Sequence, residues 1–250
     1  MAKTEESRIN ACESSHLLNK CRVVKEHFGR VSFRGTNVLD VGGTGRSYHA
    51  VKETFESGEV LSLNIEPGEV RGHASSVIGD ASKLPFKDES WDVVASFDTI
   101  EHLLVPDDFL LESFRVLRKG GRLVIMTPNL ADIYSRLFFM LGYNPIQYNP
   151  SRLRVAVPFR SPQKGDMGHK SVFTYRAMKE ILTATGFAID GTYGFHTVDK
   201  LEDDLRQEYS QTTDETMRTN LMRFSRLRKL LGKVLPPSLS EGMVFIARKP

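Results

Sequence analysis

Val38-Leu39-Asp40-Val41-Gly42-Gly43-Thr44-Gly45 joins a short apolar run to a cluster of glycines. Asn37–Val41 reads as a buried strand, because the run is brief, apolar and closed by turn residues. Glycines directly behind a strand let the backbone turn tightly and let a ligand approach without meeting a Cβ atom. Residues from about Arg46 to Phe55 read as a helix, whose first N–H groups would face an anion at this turn.

Working outward, the rhythm repeats. Val60–Ile65 is a second strand cut off by Pro67-Gly68, Ser76–Gly79 a third and Trp91–Phe97 a fourth. Pro106–Leu117 is a helix with proline in its first turn. Lys119-Gly120-Gly121 turns the chain into a fifth strand, Arg122–Thr127, ended by Pro128-Asn129. Upstream, Ser15–Phe28 carries Leu17, Leu18, Cys21, Val24 and Phe28 at helical spacing, with Gly29 as its stop. Short apolar strands alternating with helices predict an α/β fold with a doubly wound, mostly parallel sheet covered on both faces. Ligands of such sheets bind at the carboxyl ends of the strands.

After Asn129 the rhythm breaks. Ala131–Leu141 reads as a helix, and 142–168 then holds Pro145, Pro150, Pro158 and Pro162. Irregular stretches of that length in a compact domain are usually lids or binding loops. Thr174 is placed to N-cap a helix running to Thr185, stopped by Gly186. Phe187–Tyr193 is a sixth strand, Asp199–Tyr209 and Asp214–Val234 are helices, and Gly242–Arg248 is a last strand. The final strand must return to a sheet begun at residue 37, so residues 1–250 read as one domain. It divides into a front half (15–130), a lid or acceptor segment (131–170) and a C-terminal half (171–250) with a helical insertion at about 199–235.

Composition narrows the classes. The chain has 250 residues, 40% hydrophobic and 26% charged, with a net charge of +3. A chain of this size buries enough surface to need no disulfide or metal staple. Cys12 and Cys21 read as reduced thiols. There is no run of about 18 apolar residues and no apolar leader at the N-terminus, so a cytoplasmic protein is expected. The charge is uneven: Ser151–Glu180 holds seven bases to two acids, and Thr216–Pro250 eight bases to one acid.

The glycine turn fails two nucleotide tests. Read from Gly43, the third glycine of G-x-G-x-x-G falls on Tyr48, which opposes a nicotinamide-dependent oxidoreductase. No Lys-Ser or Lys-Thr follows, so it is no P-loop. Asn64 and Glu66 close the second strand, about 20 residues on, where a polar group can accept from ribose hydroxyls. Asp80 follows the third strand in Gly79-Asp80-Ala81-Ser82-Lys83-Leu84-Pro85-Phe86, and Ser96–Leu103 follows the fourth with Asp98, Glu101 and His102.

Taken together, Val38–Gly45, Ile78–Phe86, Ser90–His102 and Leu117–Thr127 resemble the successive motifs of class I S-adenosylmethionine-dependent methyltransferases. The resemblance covers about residues 35–130 firmly, and 173–187 and the final strand more loosely. It implies a seven-stranded, Rossmann-like sheet with the last strand antiparallel, and S-adenosylmethionine as cofactor. It implies that Asp40, Gly42, Gly43 and Gly45 border the methionine moiety and that Asn64 or Glu66 meets the ribose. Asp80 would contact the adenine amine with Ala81 nearby, and Phe97, Asp98 and Thr99 would form the wall after the fourth strand. Two departures stand out. The family turn is D-x-G-x-G-x-G, and here Asp40 reaches Gly45 in one residue fewer. The acid usually closing the second strand is Asn64, which accepts hydrogen bonds without charge assistance. The shortened turn suits a rival reading, a regulatory protein that keeps the fold and has lost turnover.

For a hydroxyl acceptor, a base within reach helps, and the candidates are His102 and His169. Asp98, Glu101, His102 and His169 also resemble the carboxylate and histidine set of metal-assisted quinone-biosynthesis O-methyltransferases, a set that suits a divalent cation. Tyr143, Tyr148, Arg152, Arg154, Phe159 and Arg160 mix aromatics and arginines in the lid, a surface for a small-molecule or lipid-linked acceptor. The helix at 216–235 carries Arg218, Arg223, Arg226, Arg228, Lys229 and Lys233, and such a helix can lie on an anionic membrane or dock its apolar stripe on the domain. The absence of a recognised RNA-binding module disfavours nucleic acid.

Overall fold

The computed structural model describes residues 36–43, 51–52, 54–55, 59–68, 75–145, 147–148, 156, 168–195 and 235–250. The strands are β1 (Asn37–Val41), β2 (Glu59–Asn64), β3 (Ser76–Ile78), β4 (Trp91–Phe97), β5 (Leu117–Pro128), β6 (Ala188–Phe195) and β7 (Gly242–Arg248). The helices among the described residues include α1 (Pro106–Val116), α2 (Ile133–Met140) and α3 (Tyr175–Ala184). Cys12, Cys21, Gly45, the helices expected at 15–28, 199–209 and 214–234, and the lid residues Arg152, Arg154, Phe159 and Arg160 lie outside the described residues. Val51, Lys52, Thr54 and Phe55 of the expected 46–55 helix are helical.

All seven strands join one sheet in the order β3-β2-β1-β4-β5-β7-β6. β1 to β5 pair in parallel, and β7 runs antiparallel to both β5 and β6. The seven-stranded, mostly parallel, doubly wound sheet expected from the motifs is therefore present. Strand order reverses between β1 and β4, which opens a crevice at their carboxyl ends.

Alternation along the strands explains the near-continuous apolar runs. Leu39, Val94, Leu123, Ile125 and Phe245 pack on one face with Phe109 and Leu110 of α1 and Met178 and Leu182 of α3. Val38, Val93, Ala95, Val124 and Val244 pack on the other with Val51 and Phe55. Side chains alternate faces along a strand, so a sheet buried on both sides needs apolar residues at both parities.

Element ends follow local chemistry. β2 stops at Asn64, one residue before expected, and Ile65 is 63% exposed. β5 begins at Leu117 rather than Arg122, because the glycine excursion is itself paired: Gly120 N–H donates to Lys249 C=O at 2.8 Å and Lys249 N–H to Gly121 C=O at 3.0 Å. α2 starts at Ile133, since the Asp132 carboxylate caps it by accepting from Tyr134 N–H at 2.8 Å and Ser135 N–H at 3.1 Å. Ser135 Oγ also donates to Asp132. Burial raises the Asp132 pKa, against these hydrogen bonds. Thr174 caps α3 as expected, accepting from Ala177 N–H. Gly186, at φ 103°, ends it in a Schellman motif: Phe187 N–H donates to Leu182 C=O and Gly186 N–H to Thr183 C=O.

Candidate active site

Parallel register brings the sequence-predicted groups to one edge. Asp40 stands beside Ser62 on one side and Ala95 on the other, Asn64 beside Ile78, and Phe97 beside Met126. The ladder continues past the strand ends: Gly42 N–H donates to Leu63 C=O at 2.7 Å, Gly79 N–H to Asn64 C=O at 3.0 Å and Asp98 N–H to Met126 C=O at 2.9 Å. The loops carrying Gly42, Asp80 and Asp98 are thus fixed by backbone pairing.

The glycine turn is closely packed. Gly42 has φ 80°, and a Cβ there would run into the Thr99 side chain; one at Gly43 would run into the Asp40 carboxylate. Asp40 is buried and accepts from Ser62 Oγ at 3.4 Å. Asn64 spans the same turn, its Nδ2 donating to Gly43 C=O at 3.1 Å and its Oδ1 accepting from Glu66 N–H at 3.0 Å. This side chain braces the turn, while the exposed Glu66 carboxylate stands beside it. Asp80 is exposed and closes an Asx turn by accepting from Ser82 N–H at 2.8 Å; Ala81 is buried.

A charged clamp holds the Asp80 loop to α1. The Arg115 guanidinium donates to Phe86 C=O, Leu84 C=O, Asp88 and both Glu112 oxygens at 2.7–3.0 Å. Glu112 also accepts from Leu84 N–H. Chiefly through the hydrogen bond from Arg115, the Glu112 carboxyl is held below its ordinary range.

Phe97 is buried at the end of β4, and Asp98 follows with φ 50°. A non-glycine residue in the left-handed region at a strand end marks a constrained position. The 3-10 turn Ile100–His102 then presents Glu101, 1% exposed, and His102, which is exposed. Residues 168–173 lie against this turn. Lys170 and Ser171 N–H both donate to Glu101 C=O, at 2.7 and 3.0 Å, and Ser171 Oγ donates to Leu103 C=O. Phe173 bridges to Asn129 behind β5.

These contacts set His169 against His102, with ring centroids 4.9 Å apart and planes at 72°. His102 Nδ1 lies 3.2 Å from Gly168 C=O and His169 Nδ1 lies 2.7 Å from Gln147 C=O. A carbonyl only accepts, so each Nδ1 carries a proton, and in the neutral ring Nε2 is the acceptor. Thr127 Oγ1, at the end of β5, donates to Glu101 Oε2 at 3.0 Å. Glu101, His102 and His169 form one cluster; Asp98, grouped with them by the sequence resemblance, is not part of it.

Residues 39–125 match a family model described as a methyltransferase domain. A Mycolicibacterium smegmatis protein named "Probable S-adenosylmethionine-dependent methyltransferase" is 33% identical over 179 residues, covering 69% of this chain and 60% of that protein. These matches place residues 39–125 in the class I S-adenosylmethionine-dependent methyltransferase family. A ubiquinone/menaquinone biosynthesis C-methyltransferase of Ruegeria is 35% identical over 129 residues, covering 45% of this chain and 51% of the relative. The chain thus spans about half to three fifths of the length of these curated relatives. Among solved structures, a phosphoethanolamine N-methyltransferase of Haemonchus contortus in complex with S-adenosylmethionine superposes with a TM-score of 0.57. It is 17% identical and the match covers 93% of this chain and 52% of that one. A methyltransferase of Archaeoglobus fulgidus shares the fold at TM-score 0.53 and 19% identity, with 92% and 94% covered.

The residues of this edge fit the family cofactor. Ribose hydroxyls and an adenine amine are donors, and Glu66 and Asp80 are exposed carboxylates at the ends of adjacent strands. Ile78, two residues before Asp80, is 57% exposed, an apolar surface that a base can cover. Gly42 and Gly43 keep Cβ atoms out of the turn beside Asp40. Sequence reasoning passed over Thr127, Asn129 and Gln147. Asn129 is buried and donates to Ser238 and Ser240 C=O, tying β5 to the start of β7. The Pro128-Asn129 pair ending a strand was its only local signal; Gln147 acts through its backbone and has none.

Proposed function

We propose that this chain transfers the methyl group of S-adenosylmethionine to a hydroxyl-bearing small-molecule or lipid-linked acceptor. The observation that carries this reading is the pairing of the His102 and His169 imidazoles, each held through Nδ1 by a backbone carbonyl, just past the end of β4. When bound, the cofactor supplies an electrophilic methyl group on a positively charged sulfur. Glu66 accepts from the ribose hydroxyls and Asp80 from the adenine amine. Gly42 and Gly43 border the methionine moiety, with Phe97 and Asp98 as the wall. Either imidazole can take the acceptor's proton as its oxygen attacks, a contribution of about 10²–10⁴ in rate. Holding the reacting atoms in line supplies up to about 7–11 kcal/mol more.

The relatives' printed names, a ubiquinone/menaquinone biosynthesis C-methyltransferase and a malonyl-[acyl-carrier protein] O-methyltransferase, support a biosynthetic acceptor rather than nucleic acid. Residues 1–250 act as one methyltransferase domain, since strands from 37 to 248 share one sheet. The basic stretches suit an acidic acceptor or an anionic membrane surface. No helix among the described residues is long and apolar enough to cross a membrane.

The second reading, a regulatory cofactor-binding protein, is favoured by the shortened glycine turn. Calorimetry with S-adenosylmethionine, S-adenosylhomocysteine and NAD, followed by a panel of acceptors, separates the two. Binding of the sulfur nucleosides with methyl transfer is expected. Failure to bind either nucleoside would sink both readings, and binding without transfer would favour the regulatory one.

A further inference from the structure

We infer that the tip of α2 and the loop behind it are a docking surface for an anionic phospholipid bilayer. The helix is rooted at one end and projects at the other. Its start is held by the buried Asp132, Tyr134 and Ser135. Beyond it, Leu137, Phe139, Met140 and Leu141 are 51–83% exposed, and Tyr143 and Tyr148 are exposed in the loop that follows. Leu137, Met140 and Leu141 share one face at i, i+3 and i+4. So dense a run of large exposed side chains marks a contact surface rather than scattered surface hydrophobes.

The patch is fixed in shape by its backbone. Gly142, at φ 80°, closes α2 in a Schellman motif: Tyr143 N–H donates to Phe138 C=O at 2.9 Å and Gly142 N–H to Phe139 C=O at 3.0 Å. Asn144 N–H then donates to Ala156 C=O at 2.7 Å, and Gln147 C=O accepts from His169.

Charge decides the occupant. Residues 133–165 contain no Asp or Glu and carry Arg136, Arg152, Arg154, Arg160 and Lys164. An apolar tip, tyrosines and an acid-free basic flank suit the surface of a bilayer. Apolar groups enter the acyl boundary, tyrosines sit at headgroup level and cations meet anionic lipid. A second copy of the chain fits worse, because a twofold contact would set Arg136 and the flanking bases against their own copies. A groove on a protein partner reads an amphipathic helix at i, i+3, i+4 and i+7, and α2 exposes little more than one turn. Entry to a depth of about 5–10 Å needs only such a tip. Because Gln147 holds His169, docking would bring the acceptor end to the bilayer surface, where a lipid-linked acceptor lies. That use rests on the methyl-transfer reading; the docking itself does not.

The test sediments the full chain with vesicles of equal parts phosphatidylcholine and phosphatidylglycerol, and with vesicles of phosphatidylcholine alone. S-adenosylhomocysteine binding and melting temperature are measured on the same samples. The chain is expected to partition onto the anionic vesicles, more weakly onto the neutral ones and less as salt is added. Met140→Glu combined with Leu141→Glu should weaken partitioning by roughly tenfold or more, with nucleoside affinity and melting temperature unchanged. Met140→Leu should partition as wild type does. No partitioning onto anionic vesicles, or equal partitioning by the double variant, overturns the proposal. Self-association in sedimentation velocity that the double variant abolishes, with no vesicle binding, gives the face to a second copy and overturns it too. Nucleoside binding without vesicle binding leaves the methyltransferase reading standing and ends this one; vesicle binding without nucleoside binding does the reverse.

Discussion

The proposed nucleoside end and the proposed acceptor end of this strand edge are built by different means. At the nucleoside end, each described candidate group lies in the last two residues of its strand or within three residues after it, and parallel register does the gathering. At the acceptor end, His102 and His169 meet only because residues 168–173 bind back onto the Glu101 carbonyl and Asn129. The nucleoside side is therefore a product of the sheet, and the acceptor side a product of one long-range loop contact. A fold built this way can keep one cofactor edge while its acceptor chemistry changes with the loop.

That division predicts how the two ends fail. The largest effect belongs to the acceptor end: His169→Ala should lower turnover about 10²–10⁴-fold, with cofactor affinity nearly unchanged. Steady-state kinetics on an acceptor from the panel reads this. A rise in KM for the cofactor with kcat intact would break the comparison.

A smaller effect sharpens the nucleoside side. Arg115→Ala removes hydrogen bonds that hold the Asp80 loop to α1. Bonds of this charged kind are worth about 1.5–3 kcal/mol, reduced here by solvent access to about 1–2 kcal/mol of stability. Urea unfolding checks it. The Glu112 pKa is lowered in the folded state, chiefly by its hydrogen bond to Arg115. Its stabilisation is present above the unfolded pKa and is lost as pH falls through the folded one. The gap between wild type and Arg115→Ala should therefore narrow in acid.

The smallest effect lies beyond β5. Asp132→Ala loses the α2 cap and about 1 kcal/mol. Asp132→Asn keeps an acceptor for the cap and sheds the cost of a buried charge. The folded Asp132 pKa is raised, first by burial, so its contribution is lost as pH rises through that pKa. Thermal unfolding at two pH values should show Asp132→Asn gaining on wild type at the higher pH.

How much of this was legible in the sequence follows the same division. The strands themselves, the Thr174 cap, the Gly186 stop and the positions of the strand-end acids were readable, because each depends on a few neighbouring residues; the seven-stranded sheet with its antiparallel last strand came from the family resemblance. The brace that Asn64 makes was not readable, since only the fold brings its side chain to the Gly43 carbonyl. His102 and His169 could be picked out singly, but their pairing depends on main-chain contacts between segments 66 residues apart, which leave no trace in side-chain identity. Gln147 shows the limit, since any residue offers the same carbonyl.

The central claim is that carboxylates at the strand ends bind the nucleoside and that the histidine cluster does not. Calorimetric titration of S-adenosylhomocysteine into wild type, Asp80→Ala and His169→Ala tests it directly. The account predicts that Asp80→Ala binds more weakly by about 1.5–3 kcal/mol, more than tenfold, while His169→Ala binds as wild type does. Equal affinity in Asp80→Ala, or an equal loss in His169→Ala, would contradict it.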